Sequence, residues 1–427
     1  MENCYNARIL ALASPADLET EIRSIETYAE AVPRVILKAS QRLIRVERLP
    51  ATVAMILKQE LLTLDGDALI SPAVYLGERD ATTDALIFAT LRQLHELTRR
   101  LAALPLPELQ SLAAELEELL RADAPIAHGA LEIAGRRFVW GERTYVMGIL
   151  NVTPDSFSAD GLAQPGSDLV VAALDRARRS AEEGADMLDI GGESTRPGAR
   201  PIGVEEELRR VIPAIAAIAG EIELPISVDT YHAEVAAAAL DAGAHMINDV
   251  WGLRTPGGAW NEALVTLVAA RDAPIVLMHN RRAPPAIGAI GGHYPAVEYR
   301  DLLGEVVAEL RERVAYAESH GIRRARIIID PGMGFGKSPA QNLTLLRRLR
   351  ELRSLGLPLL VGASRKSFIG LPLGLPPQER DEGTAATTAL AIQAGADIVR
   401  VHNVQMNVRA ARVADAIVRG VWTSETV

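Results

Sequence analysis

The sequence has few of the residues that would indicate a disulfide framework or a nucleic-acid surface. Its 427 residues include one cysteine, Cys4, which cannot form an internal disulfide. Aromatic residues make up only 4%, and 55 acidic against 45 basic side chains give a formal net charge of −10. Such a chain offers no diffuse positive field to a polynucleotide backbone. We therefore expect no nucleic acid among its partners.

Long apolar segments are also missing. The first ten residues, MENCYNARIL, lack the basic segment and apolar core of a secretory signal. No uninterrupted apolar run reaches the roughly 18 residues that span a bilayer. The sequence therefore predicts a soluble protein without membrane contact, and the single cysteine fits a reducing, cytoplasmic location.

The length and a change of pattern near residue 125 predict two domains. Residues 1–125 combine amphipathic helical segments with short strand candidates, which indicates a small α+β domain. Residues 126–144 are predicted to form a linker and a hairpin with tight turns at Gly135 and Gly141. Residues 145–427 have a different, repeating pattern.

Residues 145–427 repeat short apolar runs, polar loops and amphipathic helical segments. The apolar runs are continuous rather than alternating, as expected for parallel strands buried on both faces. Eight such repeats predict an α/β fold of the (β/α)8 or TIM barrel class, with an open doubly wound sheet as the alternative. The predicted strands span 145–150, 187–190, 225–228, 246–249, 274–278, 326–330, 358–362 and 397–401.

Unusual residues follow nearly every predicted strand, which is where barrel enzymes carry their active sites. A single Asp after a strand is usually a helix cap, and a single Lys is usually a solvated charge. Their occurrence together at one end of a barrel indicates an active site instead. The main motifs are NVTPDSFSADG at 151–161, GGESTRPGA at 191–199, DPGMGFGKS at 330–338, GASRKSFIG at 362–370 and RVHN at 400–403.

The motifs GILNVTPDSFS, GGESTRPGA, DPGMGFGK and SRKS resemble those of the dihydropteroate synthase family, and the resemblance covers roughly residues 140–420. It implies a transferase of folate biosynthesis that condenses 6-hydroxymethyl-7,8-dihydropterin diphosphate with 4-aminobenzoate, giving 7,8-dihydropteroate and pyrophosphate. It also implies Mg²⁺ as cofactor and a homodimer. Residues 1–125 resemble an extension carried by some bacterial members, whose role the sequence does not reveal; a structural or dimer-supporting role is the ordinary interpretation, and a regulatory or partner-docking role is the alternative.

The pterin ring presents a 2-amino group and a ring N–H as adjacent donors, which a carboxylate can accept together. We therefore expect Asp330 to bind this edge, while Asp229 and Asn248 bind the other heteroatoms of the ring. Helix capping, an amide tying loops together and a structural turn are the respective alternatives for Asp229, Asn248 and Asp330. By resemblance, Lys366 contacts the pterin and lies near the aminobenzoate, and Met278 lines the pterin pocket.

The diphosphate needs cationic and metal partners. Arg400 and His402 lie two positions apart at the last predicted strand, so both side chains face the same side and can clamp an anion. In the family the matching Arg and His bind the diphosphate, and the residue matching Asn151 contributes to Mg²⁺ binding. One protein oxygen suffices, because Mg²⁺ keeps several waters and bridges phosphate oxygens.

Departure of pyrophosphate from the pterin methylene leaves a delocalised cation, so we expect an SN1-like path without a covalent nucleophile. Gly191 and Gly192 are expected to let the backbone leave its strand sharply, so that ESTRPG folds over the substrates and excludes water. By resemblance, the aminobenzoate site comprises Phe157, Thr195, Arg196, Pro197 and Ser367. The residues expected to be catalytic are Thr195, Arg196, Asp229 and Lys366.

Two other functions compete with this interpretation. A corrinoid-dependent, pterin-binding methyltransferase shares the barrel and the pterin-facing groups, but it would leave STRPG, SRKS and the pair Arg400 and His402 unexplained. A non-catalytic pterin-binding homologue is the second competitor, because Ala159 and Asn403 stand where acidic residues are common in the family. The lid motifs and Lys366 favour the enzyme.

Overall fold

A computed structural model describes residues 8–10, 12, 15–75, 82–124, 129–153, 168–193, 202–281 and 297–420. The chain divides into two compact units, Met1–Arg121 and Ala122–Val427. Among the described residues, no helix is both long enough and apolar enough to cross a membrane.

The first unit is a small α+β fold, as predicted. Three antiparallel strands are ordered β1-β3-β2, and one face of this sheet packs on α3, α5 and α6 around side chains such as Leu57, Ile87 and Leu97. The strands are β1 (Gln41–Pro50), β2 (Asp67–Ile70) and β3 (Thr82–Thr90). The helices are α1 (Pro15–Ser24), α2 (Val32–Ala39), α3 (Ala51–Thr63), α4 (Pro72–Tyr75), α5 (Leu91–Ala103) and α6 (Pro107–Ala122).

The second unit begins with a hairpin and continues as alternating strands and helices. The hairpin strands are β4 (Ala130–Ile133) and β5 (Arg136–Val139). The following strands are β6 (Tyr145–Asn151), β7 (Met187–Gly191), β8 (Ile226–Asp229), β9 (Met246–Asp249), β10 (Ile275–Met278), β11 (Ile327–Asp330), β12 (Leu360–Val361) and β13 (Ile398–Val401). The helices are α7 (Leu169–Glu182), α8 (Val204–Ala219), α9 (Ala233–Asp241), α10 (Glu262–Arg271), α11 (Leu302–Ser319), α12 (Pro339–Arg347), α13 (Ser367–Leu373), α14 (Asp381–Gln393) and α15 (Val404–Val418).

The strands β6 to β13 form the predicted (β/α)8 barrel. They make one eight-stranded sheet in the order β11-β10-β9-β8-β7-β6-β13-β12, and a parallel bridge between Ile329 and Leu359 joins its two edges. Because neighbouring strands are parallel, all eight carboxyl ends lie at one end of the barrel. Along each strand one set of side chains packs on the helices, while the alternate set fills the interior.

The amino-terminal end of the barrel is closed by apolar side chains. Interior residues from the strands, among them Met147, Met187 and Met246, form one cluster with Phe138 and Trp140 of the hairpin region. The Phe138 ring lies 4.8 Å from the Tyr145 ring and 6.0 Å from the Trp140 ring, measured between centroids. We call this layer the barrel floor, and it leaves the opposite end for polar groups.

Truncation of the hairpin ring should destabilise the second unit. We expect Phe138→Ala to lower its free energy of unfolding by about 3–5 kcal/mol, because the ring is buried and leaves a cavity. Urea unfolding followed by tryptophan fluorescence measures this, since all four tryptophans lie in the second unit.

The matched control is Arg137→Ala, a change at the neighbouring exposed position of the same hairpin strand. This variant should unfold at the wild-type urea concentration. Equal midpoints for the Phe138→Ala variant and the wild type would contradict a role for the hairpin in the floor.

Candidate active site

Above the floor, the interior of the barrel becomes polar. The inward side chains here include Asp189, Asn248, Asp330 and Arg400, whose strands otherwise carry almost only apolar residues. The strand registers pair Asp229 with Asn248 and Met278 with Asp330. Six of the predicted site residues thus lie at the carboxyl end of the barrel, namely Asn151, Asp229, Asn248, Met278, Asp330 and Arg400.

A guanidinium between two carboxylates occupies one side of this layer. Arg400 Nε donates a hydrogen bond to Asp189 Oδ2, and Arg400 Nη2 donates to Asp229 Oδ2 at 2.7 Å. The Asp189 side chain is fully buried, and 18% of the Arg400 side chain is exposed. Burial raises the pKa of Asp229 above its usual range, and the positive charge of Arg400 opposes this rise. The predicted anion-binding arginine is therefore already held in place by protein groups.

Asn248 shares the same carboxylate. Its Nδ2 donates to Asp189 Oδ2 at 2.9 Å, an orientation that follows from chemistry because only the NH₂ end of an amide can face a carboxylate. Within the described parts of the chain, Asn248 Oδ1 is buried and accepts no hydrogen bond. This oxygen therefore remains available as a hydrogen-bond acceptor.

Asp330 and Lys366 flank Gly362 on the other side of the layer. A Cβ atom on Gly362 would lie 3.9 Å from Asp330 Oδ2 and 4.0 Å from Lys366 Nζ. Asp330 Oδ1 accepts a hydrogen bond from Gly332 N at 2.7 Å. Burial raises the pKa of Asp330, and the charge of Lys366 opposes the rise. Burial also lowers the pKa of Lys366 to about 8, against the effect of Asp330.

The loop after β11 reaches back to hold Lys366. Its ammonium donates to Met333 O and lies 4.7 Å from the centroid of the Phe335 ring. A Cβ on Gly334, whose φ is +82°, would come within 3.0 Å of Lys366 Cδ. The glycine thus leaves room for the lysine chain.

An apolar wall completes the site. Met278 clusters with Val250, Trp251 and Phe335, and the partly buried Tyr231 packs against them. A wall of this kind suits a flat heterocycle. Sequence reasoning did not single out Trp251 or Phe335 for this wall, although Phe335 lies inside the DPGMGFG motif.

Lys337 fixes the shape of the loop that carries this wall. Its buried ammonium donates to Gly332 O at 3.1 Å, Phe335 O at 3.1 Å and the Nδ1 atom of His279 at 2.9 Å. A side chain at position 332 is excluded, because φ is +66° and a Cβ would lie 1.9 Å from His279 O. Burial lowers the pKa of Lys337 to about 7 and that of His279 to about 3, so the imidazole is neutral. Sequence reasoning noted Lys337 only as part of a motif.

The RVHN motif has an amide, Asn403, rather than a carboxylate next to His402. The imidazole is oriented by Ser364 instead. His402 Nδ1 and Ser364 Oγ are 2.9 Å apart, and the backbone N–H of His402 donates to the same oxygen. Asn403 accepts from Met406 N at the start of α15 and donates to Asp381 Oδ2 at 2.9 Å. An aspartate at position 403 could not make the second bond, which explains why an amide fits there.

The lid predictions fall largely outside the described residues. Phe157, Thr195, Arg196 and Pro197 belong to segments 154–167 and 194–201, which the structure does not describe. Ser367 is described as the first residue of α13, directly after Lys366.

The chain bends at Gly192 and Glu193, directly after β7, as the sequence predicted. Neither Gly191 nor Gly192 has a positive φ. Instead, a Cβ on Gly192 would lie 2.7 Å from Val211 Cγ1, and one on Gly191 would lie 3.4 Å from Asp229 Cβ. Close packing against Val211 therefore excludes a side chain at position 192, whereas the contact at position 191 is an ordinary van der Waals distance.

Comparison with known proteins agrees with this geometry. The sequence profile of the family described as pterin binding enzyme matches residues 147–402. The dihydropteroate synthase of Synechocystis sp. is 46% identical over 290 residues, which cover 68% of this chain and 95% of that protein. Solved structures of the Xanthomonas albilineans dihydropteroate synthase contain 4-aminobenzoic acid (TM-score 0.61, 46% identity) or 7,8-dihydropteroate (TM-score 0.58, 44% identity). Each superposition covers 69% of this chain and 100% of the other.

A further relative extends the similarity into the first unit. A probable bifunctional folylpolyglutamate synthase/dihydropteroate synthase of Halobacterium salinarum is 42% identical over 410 residues, covering 93% of this chain and 47% of that protein. This span exceeds the second unit, so the first unit also has a counterpart there. The predicted relationship is confirmed: the chain belongs to the pterin binding enzyme family, and its function is that of a dihydropteroate synthase.

Proposed function

We propose that the carboxyl end of the barrel binds the pterin ring edge-on through Asp330 and Asn248. The Asp330 carboxylate keeps acceptor capacity on both oxygens, since each has two lone pairs and Oδ1 uses one for Gly332. Asn248 Oδ1 supplies a further acceptor, and Met278 and Phe335 supply an apolar surface. The convergence of these groups at one end of the barrel supports the proposal above all.

The diphosphate is assigned to Arg400 and His402. The guanidinium has five N–H donors, of which two face Asp189 and Asp229. The remaining donors suit phosphate oxygens, and the carboxylates prevent the side chain from swinging away. Ser364 orients the neighbouring imidazole.

Magnesium is assigned to Asn151 together with the substrate's own oxygens. Asn151 is the last residue of β6 and offers a hard carboxamide oxygen, which fits Mg²⁺. Among the described residues, no group of three or more His, Cys, Asp or Glu side chains could hold a metal ion alone. When bound, Mg²⁺ neutralises charge on the departing pyrophosphate.

The reaction follows an SN1-like path in this site. The bond from the pterin methylene to the diphosphate oxygen breaks first, and the electron pair leaves with pyrophosphate. The amine nitrogen of 4-aminobenzoate then attacks the delocalised cation and releases a proton. Asp330 and Asn248 hold the ring while Asp229 fixes Arg400, and no side chain forms a covalent bond to the substrate.

The aminobenzoate is assigned to the lids and to the start of α13. Lys366 orients the reacting groups at this junction, and Ser367 follows it directly. The motif resemblance supports Phe157, Thr195, Arg196 and Pro197 as the remaining contacts. Of these lid residues, Thr195 and Arg196 are proposed to act in catalysis with Lys366 and Asp229.

A cytoplasmic homodimer is also proposed. The single cysteine fits a reducing compartment. Val413 and Ile417, one turn apart on α15, are 62% and 77% exposed and offer an apolar surface for a second copy. Sedimentation velocity distinguishes a monomer of 45.9 kDa from a dimer.

Pyrophosphate release tests the reaction itself. Purified protein should release pyrophosphate only when pterin diphosphate, 4-aminobenzoate and Mg²⁺ are all present, because without the amine the cation recombines with the pyrophosphate held in the site. A coupled pyrophosphate assay with each component omitted in turn measures this. Release without the amine would refute the proposed coupling, and release without Mg²⁺ would refute the metal assignment.

Removal of the Asp330 charge should weaken pterin binding. We expect Asp330→Asn to lower pterin affinity by about a hundredfold, since a hydrogen bond to a charged group contributes about 1.5–3 kcal/mol. Isothermal titration with the dephosphorylated hydroxymethylpterin isolates the ring from the diphosphate. The control is Asp397→Asn, which removes the charge of a buried carboxylate that accepts from Leu359 N and Gly141 N, away from the site. Unchanged affinity in Asp330→Asn would refute the proposed orientation.

Pterin affinity should fall on both sides of a pH optimum. On acidification Asp330 takes up a proton and loses its acceptor pair, and because burial raises its pKa the loss begins above the usual range for an aspartate. On the alkaline side affinity should fall above about pH 8, where Lys366 loses its charge. Affinity is measured across this pH range for the wild type and for Lys366→Met with the same ligand. Any protonation of the ligand itself then affects both proteins equally and cancels when their affinities are compared. Persistence of the alkaline limb in Lys366→Met would assign it to another group.

A further inference from the structure

Asp189 lies below the proposed substrate contacts and was not among the predicted site residues. It sits in the middle of β7, inside the apolar run MLDI, and its side chain is fully buried. Its neighbours Leu188 and Ile190 pack in the core that contacts the helices, whereas Asp189 faces the interior. A buried carboxylate in a strand costs solvation free energy and needs compensating partners.

One oxygen of this carboxylate receives both partners. Asn248 Nδ2 and Arg400 Nε each donate to Asp189 Oδ2. Within the described residues, Asp189 Oδ1 accepts no hydrogen bond. Asn248, proposed to bind the pterin ring, and Arg400, proposed to bind the diphosphate, therefore share one hydrogen-bond acceptor, and Arg400 has Asp229 as a second partner.

We propose that Asp189 is a positioning residue that sets the amide of Asn248 and the guanidinium of Arg400 in register for the two ends of the pterin substrate. The carboxylate forces the NH₂ end of Asn248 toward itself, which leaves Oδ1 as the acceptor for the ring. Its negative charge also holds the Nε side of the Arg400 guanidinium. The remaining N–H donors are then left for the diphosphate. This role rests on the proposed functions of Asn248 and Arg400.

A second carboxylate shows why the position in the strand matters. Asp249 is also fully buried within a strand, but it accepts from Trp251 N and Leu253 N in the following loop. Its partners are backbone groups, so its function is to shape a turn. Asp189 has side chains of the site as its hydrogen-bond partners, which a purely structural carboxylate does not need.

The test is Asp189→Asn, which keeps the size of the side chain but removes its charge. We expect KM for the pterin diphosphate to rise at least about tenfold, the equivalent of about 1.4 kcal/mol, while KM for 4-aminobenzoate changes by less than about twofold. The control Asp397→Asn loses a buried charge at the opposite end of the barrel and should leave the ratio of the two KM values unchanged. An equal rise of both KM values in Asp189→Asn would overturn the proposal.

A double-mutant cycle separates positioning from general destabilisation. If Asp189 acts through Asn248, Asp189→Asn should have little further effect on hydroxymethylpterin affinity in an Asn248→Ala background. Additive effects would overturn the proposal. No effect of Asn248→Ala alone would instead overturn the proposed function of that amide.

A second double-mutant cycle tests the same proposal without the Asp189→Asn variant, in case that variant does not fold. Asn248→Ala and Arg400→Met each remove one donor to the same oxygen, so their effects on pterin diphosphate affinity should be non-additive. Strict additivity would overturn the proposal.

Discussion

The buried ionic group of Arg400, Asp189 and Asp229 constrains the rest of the barrel's mouth. Three charged side chains with little contact to water stabilise a protein weakly, because desolvation offsets much of their attraction. Their geometry is nevertheless fixed by hydrogen bonds from Arg400 to both carboxylates, and removal of Arg400 would leave two buried carboxylates without their shared cation. Such a group is better explained by the ligand than by the fold. The apolar floor beneath it keeps the local dielectric low, and every charged contact with a bound substrate is correspondingly stronger.

The sequence allowed the barrel, and the grouping of polar residues at its carboxyl end, to be predicted for one physical reason. Parallel strands bring all their carboxyl ends together, so polar residues that follow different strands must meet. Asp330 and Arg400 were found in this way, although they are 70 positions apart. Residues inside the strands were harder to assign, because an Asp within an apolar run gives no direct sign of the face it occupies. Alternation could have identified Asp189, since Met187 of the same strand also points inward.

Other features could not be predicted because they depend on tertiary packing. Gly192 is required by its contact with Val211, which lies 19 positions further along the chain. Two of the three acceptors around Lys337 lie in its own loop, but the third, His279, directly follows β10, so the motif alone does not reveal the full set. Asn403 differs from the acidic residue common in the family, and only the position of Asp381 explains the amide. In each case the residue was visible in the sequence, but the distant contact that explains it was visible only in the structure.

The barrel floor has a chemical consequence beyond packing. Three of the eight methionines, Met147, Met187 and Met246, form part of this layer and are fully buried. A thioether fills irregular space well, but its sulfoxide is polar and would disrupt the layer that supports the charged mouth. Because the three thioethers are fully buried beside Phe138 and Trp140, their oxidation requires local opening of the barrel floor.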